Sequence, residues 1–416
     1  MSTDIEVFIS FSPGLKRVGT LYRHARRGAE STSFEYHPDW LDDPECFSLD
    51  PALTLNRGAF APSGGMPMFG SIGDSAPDTW GRQLMQRAER RLANREGRPV
   101  RTLMEADYLL GVSDVARLGG LRFRRVGETE FQAPTTTGVP GLIELGRLLT
   151  VTERILRDEE TEDDLQIIFA PGSSLGGARP KASVMDQHGR LSIAKFPKET
   201  DDYQIELWEA VALRLAARAG IRTPDNELIR VAGKPVLLSR RFDRDAGTRI
   251  PFLSALSMMG LRDGSRGSYL ELVDALTQHG AHAVADAHEL YRRMVFNVLI
   301  SNVDDHLRNH GFLWTSRDGW TLSPAYDLNP TPSDVRQRIL TTTISLDEGT
   351  CNLDLVFEVA EYFGLGLAEA KLIANEVATT TATWREVAES LGAGPSEILR
   401  MTSAFEHDDL IKALAS

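Results

Sequence analysis

The chain has 416 residues, long enough for two or three domains with a core in each. Its net charge of −13 at pH 7 argues against nonspecific nucleic-acid binding, which needs a cationic surface to displace phosphate counterions. The two cysteines, Cys46 and Cys351, are far apart and fit neither a disulfide framework nor a structural zinc site. No stretch approaches the ~20 apolar residues of a membrane span, and Met1–Ser10 carries acids instead of a long apolar run. The expectation is a cytoplasmic globular protein without a membrane partner.

In chain order, residues 4–36 read as β-structure. Ile5–Ile9 alternates, Pro13-Gly14 turns, and Val18–Tyr22 and Ser33–Tyr36 follow. The Gly-rich run Met66–Ser75 lacks a lysine after its glycines, so it reads as a loop entering a helix, not as a phosphate loop. Ser75-Ala76-Pro77-Asp78 is a helix start, and Thr79–Leu92 is amphipathic and basic. Arg82, Arg87, Arg90, Arg91, Arg95, Arg98 and Arg101 are either a basic patch or, more simply, a solvated helix face. Leu103–Leu110 reads as a helix and Leu121–Val126 as a strand.

Phe131–Pro140 is rich in Thr, Pro and Gly and reads as a linker. Leu142–Glu159 is a helix. Gly172–Val184 then places glycines beside Lys181 ahead of a strand, where backbone N–H groups can approach phosphate oxygens. The spacing is not that of a Walker A loop. One hairpin later, Lys195 sits among apolar neighbours in Leu191–Pro197. A lysine there faces solvent or takes an anion, as the phosphate-binding lysine of protein kinases does. Tyr203–Ala219 has apolar residues at helical spacing and ends at Gly220. Glu206 or Glu209 on it is a possible partner for Lys195. Glu227–Val231 and Pro235–Ser239 form a hairpin turning at Gly233, followed by Arg240-Arg241-Phe242-Asp243-Arg244.

Beyond Phe252 the pattern is helical, at Ser268–Gln278 and Val284–Ile300, until the chain turns polar at Asn302, Asp304, Asp305, His306, Arg308, Asn309 and His310. Two short strands, Gly311–Trp314 and Trp320–Leu322, lead to Ser323-Pro324-Ala325-Tyr326-Asp327. Asp304 and Asn309 stand in D-x-x-x-x-N spacing. In a protein-kinase catalytic loop that Asp accepts the substrate hydroxyl proton and that Asn holds magnesium. Asp327, after the strand pair, stands where a kinase keeps its other metal ligand; magnesium takes carboxylate and amide oxygens. There is no His-Arg before Asp304 and no Phe-Gly after Asp327, so an ordinary eukaryotic-type kinase is not expected. Thr341–Ser345 reads as a short β run. Leu353–Phe363, Leu367–Thr380, Thr383–Leu391 and Ser396–Ala415 read as packing helices.

Taken whole, N-V-D-D-H-L-R-N-H-G-F followed by S-P-A-Y-D-L resembles the HipA family of bacterial serine/threonine kinases, often the toxin of a toxin–antitoxin pair. D-S-A-P-D-T-W-G-R-Q-L, the S-x-x-G-x-x-x-K loop and R-F-D-R resemble it further, in the same order. The resemblance implies an α+β, two-lobed, protein-kinase-like fold with an α/β N-terminal region and an all-α C-terminal lobe. Its expected segments are an N-terminal subdomain at 1–130, a kinase N-lobe at 131–245 and a helical catalytic lobe at 246–416. It implies Mg²⁺ and ATP, with Asp304 as general base and Asn309 and Asp327 on the metal. Gly177, Lys181 and Lys195 would serve the phosphates, and Arg240, Phe242, His306 and Tyr326 the nucleotide pocket. Arg240 falls where some members have an acid, so its backbone matters more than its side chain. Ser174 stands where the family phosphorylates itself, with Ser173 adjacent. The implied partners are a protein substrate, an aminoacyl-tRNA synthetase in some members, and a small helix-turn-helix antitoxin through which DNA is met indirectly. A catalytically silent co-repressor or a small-molecule kinase would keep the same fold.

Overall fold

The computed structural model describes residues 4–10, 14–26, 29–133, 138–169, 177–245, 247–316 and 318–416. The described chain packs as two units, residues 1–199 with 240–262 and residues 200–239 with 263–416. The segments 1–130, 131–245 and 246–416 follow the chain. The packing units cut across them, because the chain leaves the first unit after Glu199 and re-enters it at Arg240.

In the first unit, β1 (Ile5–Ser10), β2 (Leu15–Arg26), β3 (Ala29–Tyr36), β4 (Ala59–Phe60) and β5 (Leu121–Arg125) form one sheet in the order β4-β3-β2-β1-β5. Ile5, Val7 and Ile9 of the inner strand β1 are fully buried. The β1–β2 register shifts between Val7 and Phe8, next to Gly19. A Cβ at Gly19 would stand 2.3 Å from the Glu35 carbonyl oxygen, so β2 crosses β3 closely only because this residue is glycine.

Helix α1 (Thr79–Glu96) begins where expected. The Asp78 carboxylate accepts the Gly81 N–H at 2.9 Å, and Gly97 ends the helix at φ +63°. Helix α2 (Glu105–Gly111) and helix α3 (Leu145–Leu156) follow. Helix α4 (Glu162–Phe169) has no counterpart among the expected elements, although its signal is local: Thr161 and Asp164 cap each other's backbone N–H groups at 3.1 and 2.8 Å. Strands β6 (Lys181–Met185) and β7 (Leu191–Lys195) close the unit as an antiparallel hairpin.

The R-F-D-R segment is built around charge that the sequence gives no reason to bury. Arg241 and Asp243 are buried and form a bidentate pair at 2.6 and 2.5 Å. Arg241 also donates to the carbonyls of Ala116 and Arg117, while Asp243 accepts from Gly119 N and from Arg244. The turn at 116–119 is thereby tied to 241–244. Burial pushes the Asp243 carboxyl up, but Arg241 and Arg244 outweigh it and hold the pKa down at about 2, against an ordinary 3.8. A carboxylate depressed on folding contributes stability that is full above pH about 4 and is lost as pH falls through about 2. Breaking one side of such a pair strands a buried charge. Asp243→Ala should therefore cost about 3–5 kcal/mol, read as a lower urea midpoint at pH 7 with unchanged m-value. A loss within about 1 kcal/mol would mean that the pair does not clamp the turn.

The second unit opens with α5 (Ile205–Arg218), β8 (Asn226–Val231) and β9 (Lys234–Arg240), turning at Gly233. Helices α6 (Tyr269–His279) and α7 (Ala283–Leu299) lead to the hairpin β10 (Gly311–Ser316) and β11 (Gly319–Leu322). Five helices finish the chain: α8 (Leu353–Glu358), α9 (Leu367–Thr381), α10 (Trp384–Ser390), α11 (Pro395–Phe405) and α12 (Asp408–Leu414). From Leu290 to Leu299, α7 is buried on nearly every face. Trp208, Trp384 and Phe405 form an aromatic core, the last two stacked at 4.7 Å.

Two expectations are corrected here. Thr341–Ser345 is not a strand: it contributes a single bridge, Thr343 to Ser268, because no neighbouring strand among the described residues continues the ladder. Ser396–Ala415 is not one helix but two, since Glu406 and His407 are extended and His407 caps a new start.

Candidate active site

The catalytic-loop candidates lie in the second unit, where α7 ends. Ser301 and Asp327, at φ +53° and +54°, hold left-handed conformations that side chains seldom adopt. Such conformations cost on the order of 1–3 kcal/mol and persist where surrounding structure imposes them. At Ser301 the hydroxyl donates to the Ala404 carbonyl at 2.9 Å and accepts Arg338 Nε at 2.9 Å. Arg338 also reaches the Val298 carbonyl and Asp409. The C-terminal helices, expected only to pack, thus brace the loop.

Within the loop the two adjacent acids separate. Asp305 is buried and accepts the Tyr269 hydroxyl, with His310 Nε2 2.8 Å from its other oxygen. Burial and Asp305 push the Tyr269 phenol well up, so it stays a donor. The chain of bonds runs on from the Tyr269 hydroxyl to Asn297 (2.9 Å), Asn302 (3.0 Å) and the backbone N–H of Asn329 (3.1 Å). This buried network links α6, α7 and the segment carrying Asp327. Sequence reasoning misses Tyr269 and Asn297; their only signal is polar groups on otherwise apolar helix faces.

Asp304 points the other way, with its side chain 60% exposed and Oδ1 3.1 Å from Arg336 Nη1. Asn309 turns back over the loop: its Nδ2 donates to the Asp304 carbonyl at 3.1 Å. The His306 N–H also donates to that carbonyl, at 2.9 Å, so Asp304 and His306 share one tight turn. The Asn309 Oδ1 is buried and has no hydrogen-bond partner among the described residues. A buried amide oxygen left without a protein donor is open to a water, an ion or a ligand. Tyr326 is buried, its hydroxyl donating to the Arg308 carbonyl at 2.7 Å, which ties the strand exit to the loop. Asp327 is half-buried, and Asn329 Nδ2 donates to its carbonyl at 3.1 Å.

Beneath the loop, His407 Nε2 lies 3.1 Å from the Leu299 carbonyl and 3.2 Å from Arg338 Nη2. Burial, and then the Arg338 guanidinium, hold its pKa down at about 4. Between pH about 6.5 and about 4 the unfolded chain binds a proton that the folded chain refuses, so stability falls across that window as pH drops. His407→Asn should flatten this limb in thermal melts between neutral and mildly acidic pH; an unchanged slope would contradict the assignment.

The nucleotide-loop candidates lie in the first unit. Lys181 and Lys195 are direct cross-strand partners in β6–β7, a placement that sets two like charges side by side. The Lys181 ammonium is buried and meets Asp78 at 2.8 Å. Asp78 is 103 residues away in sequence, a partner that local reading does not supply. Gly177 takes φ +86°, its carbonyl accepts the Trp80 N–H at 3.3 Å, and Trp80 Nε1 donates to the Lys181 carbonyl. The start of α1 therefore holds the end of the glycine loop. Lys195 and Arg240 are half-buried, and Phe242 packs against Phe252 with ring centroids 6.3 Å apart. Ser173 and Ser174 lie outside the described residues. Glu206 and Glu209 are both buried on α5.

The basic helix is not a cationic patch. Arg82 pairs with Glu105, Arg87 with Asp158 and Glu160, Arg91 with Glu160, Arg95 with Glu162, and Arg98 and Arg101 with Glu89. Among the described residues no helix is long and apolar enough to cross a membrane, and no group of three or more His, Cys, Asp and Glu is placed to hold a metal. Magnesium does not require such a cage, since it binds through one or two carboxylates plus substrate phosphates and water. The orphaned Asn309 oxygen and the Asp327 carboxylate are donors of the hard type it takes.

The profile described as the HipA-like C-terminal domain matches residues 173–385, just over half of the chain. The chain belongs to the HipA-like family. A Haemophilus influenzae protein named “Putative kinase” is 26% identical over 223 residues, covering 46% of this chain and 64% of that protein. The Sinorhizobium fredii protein named “Putative kinase Y4mE” is 25% identical over 331 residues, 71% of each chain. A solved chain from the Shewanella oneidensis MR-1 toxin–antitoxin complex of HipA, HipB and operator DNA superposes with a TM-score of 0.67 at 16% identity. That match covers 99% of this chain and 96% of the other. The α+β, kinase-like HipA fold is thereby shared, as the motifs implied.

Proposed function

We propose that this HipA-like protein transfers the γ-phosphate of ATP to a serine or threonine hydroxyl on a protein. The observation that carries the reading is the pair formed by Asp304 and Asn309: an exposed carboxylate, and a buried amide oxygen without a partner among the described residues that is held on the carboxylate's own backbone. The kinase names of the family relatives support it.

In this reading Asp304 accepts the proton of the acceptor hydroxyl as its oxygen attacks phosphorus. Asn309 and Asp327 hold magnesium, which when bound neutralises the charge on the phosphates. Lys195 supplies a cation to the phosphates. Lys181, paired with Asp78, also serves the phosphates, and Gly177 stands in the nucleotide loop. Arg240, Phe242, His306 and Tyr326 serve the nucleotide, as the family resemblance implies. Ser174 is the self-phosphorylation site, and its phosphate would repel those of ATP and switch the enzyme off.

The Shewanella complex pairs a HipA with HipB and operator DNA. By analogy we assign this chain a small helix-turn-helix partner that brings it to DNA. The ion-paired arginines of α1 agree with indirect rather than direct contact. The test is incubation of the purified protein with γ-labelled ATP and magnesium in a cell lysate. Label in protein phosphoserine or phosphothreonine is expected. Label confined to metabolites would make it a small-molecule kinase, and no transfer at all would favour a silent co-repressor.

A further inference from the structure

Arg336 follows Asp327 in the chain, within an exposed run, Ser333–Gln337, of the second unit. Its Nη1 meets Asp304 Oδ1 at 3.1 Å, with the two side chains 51% and 60% exposed. An ion pair this open contributes little to stability, so the fold does not need it. What it does is set a cation at one particular carboxylate oxygen.

The pair is one-sided. Among the described residues Asp304 Oδ2 accepts no hydrogen bond, and Arg336 spends a single guanidinium N–H on a side-chain partner. The second carboxylate oxygen is therefore available to an incoming hydroxyl while the guanidinium stays on the first. A hydroxyl within hydrogen-bond reach of Oδ2 shares its carboxylate with Arg336. The remaining guanidinium donors then lie beside the atom under attack, where a transferring phosphoryl group carries its charge. A planar guanidinium matches phosphoryl oxygens, and phosphoryl transfer is accelerated chiefly by positioning and by stabilising the charge of the transition state.

We propose that Arg336 is a catalytic residue of the phosphoryl transfer, parked on Asp304 and donating to the transferring phosphoryl oxygens. This rests on the kinase reading above. In the step, the acceptor O–H proton goes to Asp304 Oδ2, the new O–P bond forms, and the bond from phosphorus to the bridging oxygen of ADP breaks with its electron pair. Arg336 keeps its protons throughout and supplies charge alone.

The test compares binding of a ground state with a mimic of the transferring group. Affinities of the full chain for Mg·ATP and for Mg·ADP with tetrafluoroaluminate are measured by calorimetry, with kcat measured alongside. Arg336→Met should leave Mg·ATP affinity within about twofold. It should weaken the fluoroaluminate complex by roughly tenfold or more and lower kcat by a similar factor, because differential binding is what accelerates the step. Arg336→Lys should recover part of both. Equal losses for the two ligands would make Arg336 a ground-state phosphate binder and overturn the proposal. So would a fall in kcat with unchanged mimic affinity, which marks mere positioning of Asp304. A rise in activity would overturn it too, making the pair an inhibitory latch. Failure of the wild type to bind Mg·ATP or to transfer phosphate would instead sink the kinase reading, and the Arg336 role with it.

Discussion

Asp304→Asn should retain ATP binding and lose turnover by roughly 10²–10⁴, the usual contribution of a general base. The substitution keeps the shape of the side chain and its hydrogen bonding but cannot take a proton. Asp304 stands mostly in solvent, so the fold has no stake in its charge. The contrast lies next door. Asp305 is buried on Tyr269 and His310, and Asp305→Asn should act on stability by breaking the network under the loop. Parallel thermal melts and kinetics separate the two. Full activity in Asp304→Asn would remove it from the base role.

Asp327→Ala should abolish most of the magnesium dependence of ATP binding. The carboxylate sits on a residue held at φ +54°, a conformation the segment keeps through the bonds around Asn329 and Asn302. Without it the phosphate charge is poorly compensated, and ATP affinity in magnesium should drop by roughly 10- to 100-fold, the scale of one or two charge-assisted contacts. ATP affinity without magnesium should hardly change. Titration of wild type and mutant with and without magnesium checks this; identical isotherms would mean that Asp327 is not a metal ligand. Alanine also relieves a side chain from a disfavoured region only slightly, so a large stability change is not expected.

Much of the fold is legible in the sequence because it is local. Helix starts and stops carry their own chemistry, as at Asp78 and Gly220, and so does the hairpin turn at Gly233; each lies where the residue type demands. The D-x-x-x-x-N spacing is likewise a feature of one short turn, which is why Asn309 stands out even without sight of its amide on the Asp304 carbonyl. What sequence withholds is pairing at a distance. Lys181 reads as a phosphate binder with no sign that Asp78 stands on its ammonium, and the α1 arginines read as a basic or solvated face with no sign of their acids on α2, α4 and the adjoining loops. R-R-F-D-R is legible as a family motif, but nothing in it shows that its second arginine and its aspartate are buried against each other. The bracing of Ser301 by Arg338 and Ala404 joins residues that no motif connects.

The proposed step, passage of phosphate from ATP to a protein hydroxyl with Asp304 as base, is the claim to test first. The most direct measurement is mass spectrometry of the intact purified chain after incubation with ATP and magnesium, wild type beside Asp304→Asn. The prediction is one added phosphate in the wild type, mapped to Ser174 or the adjacent Ser173, none in Asp304→Asn, and weaker ATP binding by the phosphorylated form. Equal phosphorylation of the two proteins, or none in a wild type that binds Mg·ATP, would contradict it.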